Sequence, residues 1–225
     1  MHNIIIMPTY TLQTCAHILC SHIIAFVKRN IKQQESLLYF PSIGGVPRHP
    51  GQNPRRYRSP SEHNIPFETH NIPCSDGTTI HSWLLYHPNN EQSNTNNKLP
   101  TIIFFHGNAG NIGLRLPNAI QMYHYLTANI WLIEYRGYGD SDDAKPTEDG
   151  LKLDAEGIMN YINVHANTRQ LYNVDPRRLF VFGRSLGGAV AFHMAQYAQQ
   201  QQQSTSPSYT LAGIIVENTF LSISE

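Results

Sequence analysis

The feature that most constrains the fold of this chain is a glycine-flanked serine between an apolar run and a small-residue run. The motif reads Gly183-Arg184-Ser185-Leu186-Gly187. It follows the apolar run 179–182 and leads into residues 187–191, which read Gly-Gly-Ala-Val-Ala. Glycine is needed at both flanks where a strand turns sharply into a helix, because a Cβ there would collide with neighbouring backbone. We therefore predict a strand, a tight turn at Ser185 and a helix.

Around this motif, short apolar runs alternate with longer amphipathic ones, a pattern typical of a parallel sheet covered by helices. The predicted elements are strands 101–105, 130–133, 179–182 and 213–216 and helices 116–127, 147–166 and 186–198. Upstream, Ser75-Asp76-Gly77 between two β-rich runs predicts a hairpin. The glutamine run at 199–203 and the serine-rich stretch after it are expected to form a loop. The pattern predicts an α/β fold, a mostly parallel sheet with helices on both faces.

The serine motif also predicts a nucleophile. A serine on such a turn lies above the sheet edge at a helix N-terminus, where free N–H groups favour negative charge. A second loop, residues 106–111 reading His-Gly-Asn-Ala-Gly-Asn, follows the strand that ends at Phe105. Its glycines allow a backbone N–H to turn into the same site. We expect Ser185 to be the nucleophile and the N–H groups of Asn108 and Leu186 to be the oxyanion-hole donors.

Each loop has an alternative interpretation. A phosphate-binding turn of a Rossmann-like domain would also place glycines after a strand, although neither Gly-x-Gly-x-x-Gly nor a Walker lysine is present. The loop at 106–111, taken alone, is also compatible with an ordinary Gly-Asn turn. The two loops in one chain favour the catalytic interpretation.

Other polar residues near these motifs are expected to be structural. His106 precedes the serine, whereas a site of this type takes its base from after the last strand, so we interpret His106 as a brace of its own loop. Asp140 and Asp142 belong to the turn region after the second parallel strand. His193 lies two turns into the helix that follows the serine and is expected to point away. Glu217, at the end of the fourth parallel strand, is the one candidate for a catalytic acid in an alternative position.

Composition argues against several other classes of protein. A chain of 225 residues, 40% of them hydrophobic, can bury one sizeable core. Lys plus Arg balances Asp plus Glu at 16 each, so we expect no nucleic-acid partner. Cys15, Cys20 and Cys74 lack zinc-type spacing, and with no dinucleotide motif we expect neither a metal nor a cofactor.

The N-terminal part is expected to lie outside the folded domain. Residues 1–27 contain no Lys, Arg, Asp or Glu, and basic residues follow at 28, 29 and 32. That length is enough to span a bilayer, although prolines, threonines and histidines dilute its apolarity. We predict residues 1–36 as a candidate single-pass anchor that leaves the domain cytosolic. A cytoplasmic protein without an anchor is the alternative, and a cleavable signal peptide fits less well because the basic residues follow the apolar run.

The next segment is rich in proline and has no helical or strand period. We predict residues 37–65 as a surface linker and residues 66–225 as the N-terminal part of the folded domain.

Five stretches in family order resemble the Bem46-like branch of the α/β-hydrolase superfamily. They read LLYFP from Leu37, FHGNAGNIGLRLPN from Phe105, YRGYGDS from Tyr135, FGRSLGGAVA from Phe182 and VENTFLSI from Val216. The resemblance implies the α/β-hydrolase fold and a serine esterase or thioesterase. It also implies membrane association and, as substrate, an ester or thioester of a lipid or an acylated protein, which includes protein depalmitoylation.

In that family the chain continues, with a triad acid after the next strand and a histidine after the last one. Glu225 ends this chain just after the fourth parallel strand, so we expect a C-terminally truncated domain with a bare apolar edge. Without acid and base the serine would be inactive, because loss of a triad costs about a million-fold in turnover. An inactive fragment or isoform that binds lipid or protein is the alternative function, and a peptidase of the same fold is a weaker one.

Overall fold

The computed structural model describes residues 38–42, 44–88, 98–166, 168, 171–204 and 211–219. Within these residues one six-stranded sheet is formed by β1 (Phe67–Pro73), β2 (Thr79–Leu85), β3 (Thr101–Phe105), β4 (Asn129–Ile133), β5 (Leu179–Arg184) and β6 (Leu211–Glu217). The order across the sheet is β1-β2-β4-β3-β5-β6. β2 is antiparallel to β1 and β4, and every pairing from β4 to β6 is parallel. The predicted hairpin and parallel sheet are thereby confirmed.

Three α-helices accompany the sheet in the described part of the chain: α1 (Leu116–Leu126), α2 (Glu148–His165) and α3 (Leu186–Ser204). Shorter 3-10 turns lie at Pro50–Gln52, Pro60–His63 and Ile112–Arg115. The sequence starts α2 clearly, because the Thr147 side chain accepts a hydrogen bond from the Gly150 N–H and two acidic residues follow in the first turn.

The prediction of a loop from Gln199 is wrong in its first half. α3 continues through the glutamine run to Ser204. Glutamine has a good helix propensity, so a helix already started is extended by it at little cost. Residues 205–208 of the predicted loop lie outside the described residues.

The helices cover both faces of the sheet, as predicted. On one face, Leu116, Ala119 and Tyr123 of α1 join a buried cluster with alternate residues of β2, β3 and β4. On the other face, the ring of Trp131 in β4 packs edge-on against Tyr161 of α2. This division follows from the two-residue period of a strand, which sends successive side chains to opposite faces.

The compact unit begins at Tyr39, earlier than the boundary at residue 66 expected from composition. Within the expected linker, Asn53 Nδ2 donates to Asn111 Oδ1 at 2.8 Å, and Asn111 Nδ2 donates to Pro47 O at 3.0 Å. Ile65 is buried in the α1 cluster. These contacts join residues far apart in sequence, so proline content alone did not reveal them.

The candidate anchor at residues 1–36 lies outside the described residues. In the described part of the chain, no helix has both the length and the apolarity needed to cross a bilayer.

Candidate active site

Two loops meet at the carboxyl ends of β3 and β5. The strands are adjacent and parallel, with Phe105 paired to Gly183, so residues 106–111 and Ser185 leave the sheet at the same edge. The chain proceeds from β3 to β4 on one side and places β5 on the other. A crevice of this kind, where the strand order reverses, is where open α/β sheets bind ligands.

Ser185 forms the predicted tight turn between β5 and α3. Its backbone is left-handed, with φ of 53°, a conformation that non-glycine residues adopt at a cost of about 1 kcal/mol or more. A Cβ on Gly183 would lie 2.2 Å from the Gly187 carbonyl oxygen. A Cβ on Gly187 would lie 2.2 Å from the Phe105 carbonyl oxygen. Both glycines are therefore required by close backbone approach.

The last residue of β6 and Thr219 beyond it hold the turn in place, a role that the sequence did not reveal. The Ser185 N–H donates to the Glu217 carbonyl at 2.9 Å. The Thr219 hydroxyl donates to the Ser185 carbonyl at 2.7 Å. A Cβ on Gly188 would lie 2.0 Å from Thr219 Oγ1, so this contact also explains the second glycine of the Gly-Gly pair. The available signal was a hydroxyl residue two positions after the end of the strand parallel to β5.

The second loop is fixed through four consecutive carbonyl groups. Each carbonyl accepts a hydrogen bond: His106 O from the Tyr135 hydroxyl at 2.6 Å, Gly107 O from the His106 ring at 2.6 Å, Asn108 O from the Tyr138 hydroxyl at 2.8 Å and Ala109 O from the Arg115 guanidinium. Because each carbonyl shares a rigid plane with the next N–H, the orientation of the following amide is fixed too. The loop is therefore preorganised.

His106 braces this loop, in agreement with its interpretation from sequence. Its ring is fully buried, and Nδ1 donates to Gly107 O, which can only accept. Nε2 lies 3.0 Å from Glu134 Oε1, and the other Glu134 oxygen accepts from the Ile112 N–H at 3.0 Å. The pair thus ties the loop to the end of β4.

Four other titratable candidates are engaged away from the serine. The contacts are His49 to Asp140 at 2.8 Å, Thr79 N–H to Asp142 at 2.7 Å, His193 to Glu156 at 2.9 Å and Arg184 to Glu217 at 2.8 and 2.9 Å. The Arg184 hydrogen bonds hold the pKa of Glu217 below its ordinary value. Glu217 is therefore an ion-pair partner of the neighbouring strand.

The two loops touch beside the serine. A Cβ on Gly107 would lie 3.8 Å from Ser185 Cβ, so the loop that carries Asn108 abuts the half-buried serine. Leu186 is the first residue of α3 and follows Ser185 directly. Among the described residues, no histidine or carboxylate hydrogen-bonds to the Ser185 hydroxyl.

Comparison with known protein families identifies the fold in which this site lies. The sequence profile described as alpha/beta hydrolase fold matches residues 100–214 of the 225-residue chain. The chain belongs to the α/β-hydrolase family. The chain is 34% identical over 194 residues to the protein bem46 of Schizosaccharomyces pombe, a match that covers 86% of this chain and 56% of that protein. It therefore belongs to the Bem46-like branch.

The chain is also similar to a second relative and to a solved structure. An uncharacterized membrane protein of Saccharomyces cerevisiae is 32% identical over 165 residues, covering 73% of this chain and 50% of that protein. A bacterial heroin esterase has a similar fold, with a TM-score of 0.53 at 22% identity, covering 69% of this chain and 45% of that chain. The chain spans about half the length of the curated relatives it matches.

Proposed function

We propose that the protein is a serine hydrolase that cleaves a carboxylic ester or an acyl thioester. Ser185 is the nucleophile, and the N–H groups of Asn108 and Leu186 form the oxyanion hole. The observation that carries this proposal is the left-handed turn at Ser185 beside the loop at 106–111. Such a turn raises a serine hydroxyl above the end of the sheet, at the N-terminus of a helix.

The proposed reaction has two halves. The Ser185 hydroxyl transfers its proton to a base as its oxygen bonds to the acyl carbon, and the carbonyl oxygen becomes negative in a tetrahedral intermediate. The Asn108 and Leu186 amides stabilise that charge, each by about 3 kcal/mol by analogy with measured oxyanion holes. The alcohol or thiol leaves with a proton. Water then attacks the acyl-serine and releases the carboxylic acid.

The base and the triad acid are proposed to come from outside the described residues. The family order of serine, acid and histidine supports this assignment. The candidates within the described chain support it as well, because His106, His193 and Glu217 are each paired with a group other than the serine. In this proposal, the described residues alone are inactive.

The proposed substrate is a lipid ester or an acylated protein, with protein depalmitoylation included. The support is the resemblance of the motifs to the Bem46-like branch, and the same motifs also resemble α/β-hydrolase domain-containing protein 13. The uncharged run at residues 1–27 would place such an enzyme beside a membrane, where acyl chains are found.

A fluorophosphonate probe tests the nucleophile in the complete gene product. We expect the wild type to be labelled and to hydrolyse p-nitrophenyl esters, and Ser185→Ala to lose both properties. Ser75→Ala is the matched control, because Ser75 is exposed in the β1–β2 turn. If the wild type is labelled no better than Ser185→Ala, the hydrolase proposal fails and a lipid- or protein-binding module becomes the better one.

Membrane attachment is tested separately. We expect the complete protein to sediment with membranes after alkaline carbonate extraction, and a variant lacking residues 1–36 to stay in the supernatant. A complete protein that is released by carbonate would contradict the anchor and favour a cytoplasmic enzyme.

A further inference from the structure

The carbonyl of Asn108 is held by two donors from distant parts of the chain. The Tyr138 hydroxyl donates to it at 2.8 Å, and the Phe40 N–H donates to it at 2.9 Å. The same Phe40 N–H lies 3.1 Å from the Tyr138 oxygen, so the hydroxyl accepts from one partner and donates to the other. We call this arrangement of Asn108, Tyr138 and Phe40 the carbonyl clamp.

Burial and ring packing keep the Tyr138 hydroxyl protonated and fixed in position. The side chain is fully buried, and burial raises the pKa of its hydroxyl above the ordinary value, so the group stays a donor at neutral pH. Its ring packs edge-on against His106 and Tyr135. Because rings pack on two sides of it, the Tyr138 side chain is restricted to one rotamer, and its hydroxyl has one position.

The backbone of Phe40 pairs with the loop at 106–111. Its N–H reaches Asn108, and its carbonyl accepts from the Gly110 N–H at 3.0 Å. Phe40 and Ala109 consequently form an isolated parallel bridge. Phe40, near the start of the expected linker at 37–65, is thus part of the site.

The clamp acts on a loop that glycine would otherwise leave free. Gly107 and Gly110 flank Asn108, and Gly110 has a φ of 71°. The peptide plane before Asn108 is fixed by the His106 ring on Gly107 O, and the plane after it is fixed by the clamp. The first plane contains the Asn108 N–H and sets its direction, and the clamp holds the Asn108 Cα from the other side, so the loop cannot swing this N–H away before substrate arrives.

We propose that Tyr138, together with the backbone of Phe40, is a positioning residue for the loop at 106–111, which presents the Asn108 amide. This inference rests on the proposed function, since Asn108 must be an oxyanion donor for its orientation to matter in turnover. An oxyanion donor contributes fully only within about 2.7–3.1 Å of the developing charge. A looser clamp therefore lowers kcat and leaves ground-state binding unchanged.

The test is Tyr138→Phe in the complete gene product. We expect kcat on a p-nitrophenyl ester and the rate of fluorophosphonate labelling to fall about tenfold, with KM changed less than about twofold. Tyr123→Phe is the matched control, because it removes another buried tyrosine hydroxyl bonded to a backbone carbonyl, Tyr86 O at 3.2 Å. Tyr123 lies on α1 outside the two loops, and we expect the kcat of Tyr123→Phe to equal that of the wild type.

A second variant and a second measurement separate the possible failures. If Tyr138→Phe does not fold, Phe40→Pro takes its place, because it removes the Phe40 N–H, the other donor to the Asn108 carbonyl. We expect the same fall in kcat for this variant. Amide exchange followed by NMR should be faster at Gly110 in either variant, whether or not the protein turns over. An unchanged kcat, or a raised KM at constant kcat, overturns the positioning role while the hydrolase stands. Wild-type protein without Ser185-dependent turnover overturns the proposed function, and unchanged exchange at Gly110 overturns the clamp itself.

Discussion

At the scale of single residues, the turn at Ser185 depends on space that only glycine leaves. In Gly187→Ala the new Cβ would lie 2.2 Å from Phe105 O and 2.7 Å from His106 O, both of them backbone atoms that cannot rotate away. We expect a loss of about 2–3 kcal/mol in the free energy of unfolding, measured by urea denaturation. Gly51→Ala is the control, because no atom lies within 4 Å of its Cβ. Equal effects of the two substitutions would contradict the close approach.

Thr219 makes a second prediction at this scale. Thr219→Val keeps the shape of the side chain and removes the hydroxyl that donates to the Ser185 carbonyl at 2.7 Å. We expect a loss of about 1 kcal/mol in stability and slower fluorophosphonate labelling of Ser185. Thr168→Val removes a similar bond, to His165 O at 2.8 Å after α2, and should leave labelling unchanged. Labelling at the wild-type rate in Thr219→Val would show that the turn does not need this brace.

At the scale of elements, sequence periodicity predicted the order of strands and helices because local pattern determines them. β3 matches its prediction residue for residue, and α2 begins at Glu148, one residue after its predicted start at Thr147. Periodicity could not predict contacts between residues that are distant in sequence. Phe40 and Tyr138 are 98 residues apart, and neither the carbonyl clamp nor the brace from Thr219 has a local pattern. Ser185 and the loop at 106–111 were predictable because glycines in the sequence indicate where two backbone segments approach closely.

An ion-pair network links three elements and makes stability depend on pH. Arg136, after β4, donates to Asp76 in the β1–β2 turn at 2.6 Å and to the buried Asp154 of α2 at 2.9 Å. The hydrogen bond from Arg136 lowers the pKa of Asp76 to about 2. Because this pKa is depressed in the folded state, the stabilisation is present above the ordinary value of 3.8 and disappears as the pH falls toward 2.

The variant Asp76→Asn tests this linkage. We expect its deficit in unfolding free energy, relative to the wild type, to be constant above about pH 5 and to shrink steadily between pH 4 and pH 2. Thermal unfolding at a series of pH values measures it. Asp143→Asn is the control, since its partner Arg48 lies at 2.7 Å but the Asp143 side chain is 88% exposed, and such surface pairs contribute little. A deficit for Asp76→Asn that grows on acidification would contradict the assigned direction.

At the scale of the whole molecule, β6 exposes apolar side chains at an edge of the sheet formed by the described residues. Within the described residues it pairs with β5 on one side, and Ile214, Ile215 and Val216 are each 38–45% exposed. A Val/Ile-rich strand with an unpaired edge is a template for pairing with another chain. We expect protein expressed as residues 1–225 to self-associate as its concentration rises, in sedimentation velocity, and Ile215→Lys to remain smaller at each concentration. Val164→Lys is the control, because Val164 is 68% exposed on α2 and offers no strand edge. Association unaffected by Ile215→Lys but reduced by Val164→Lys would place the contact on the helical face and contradict pairing through the β6 edge.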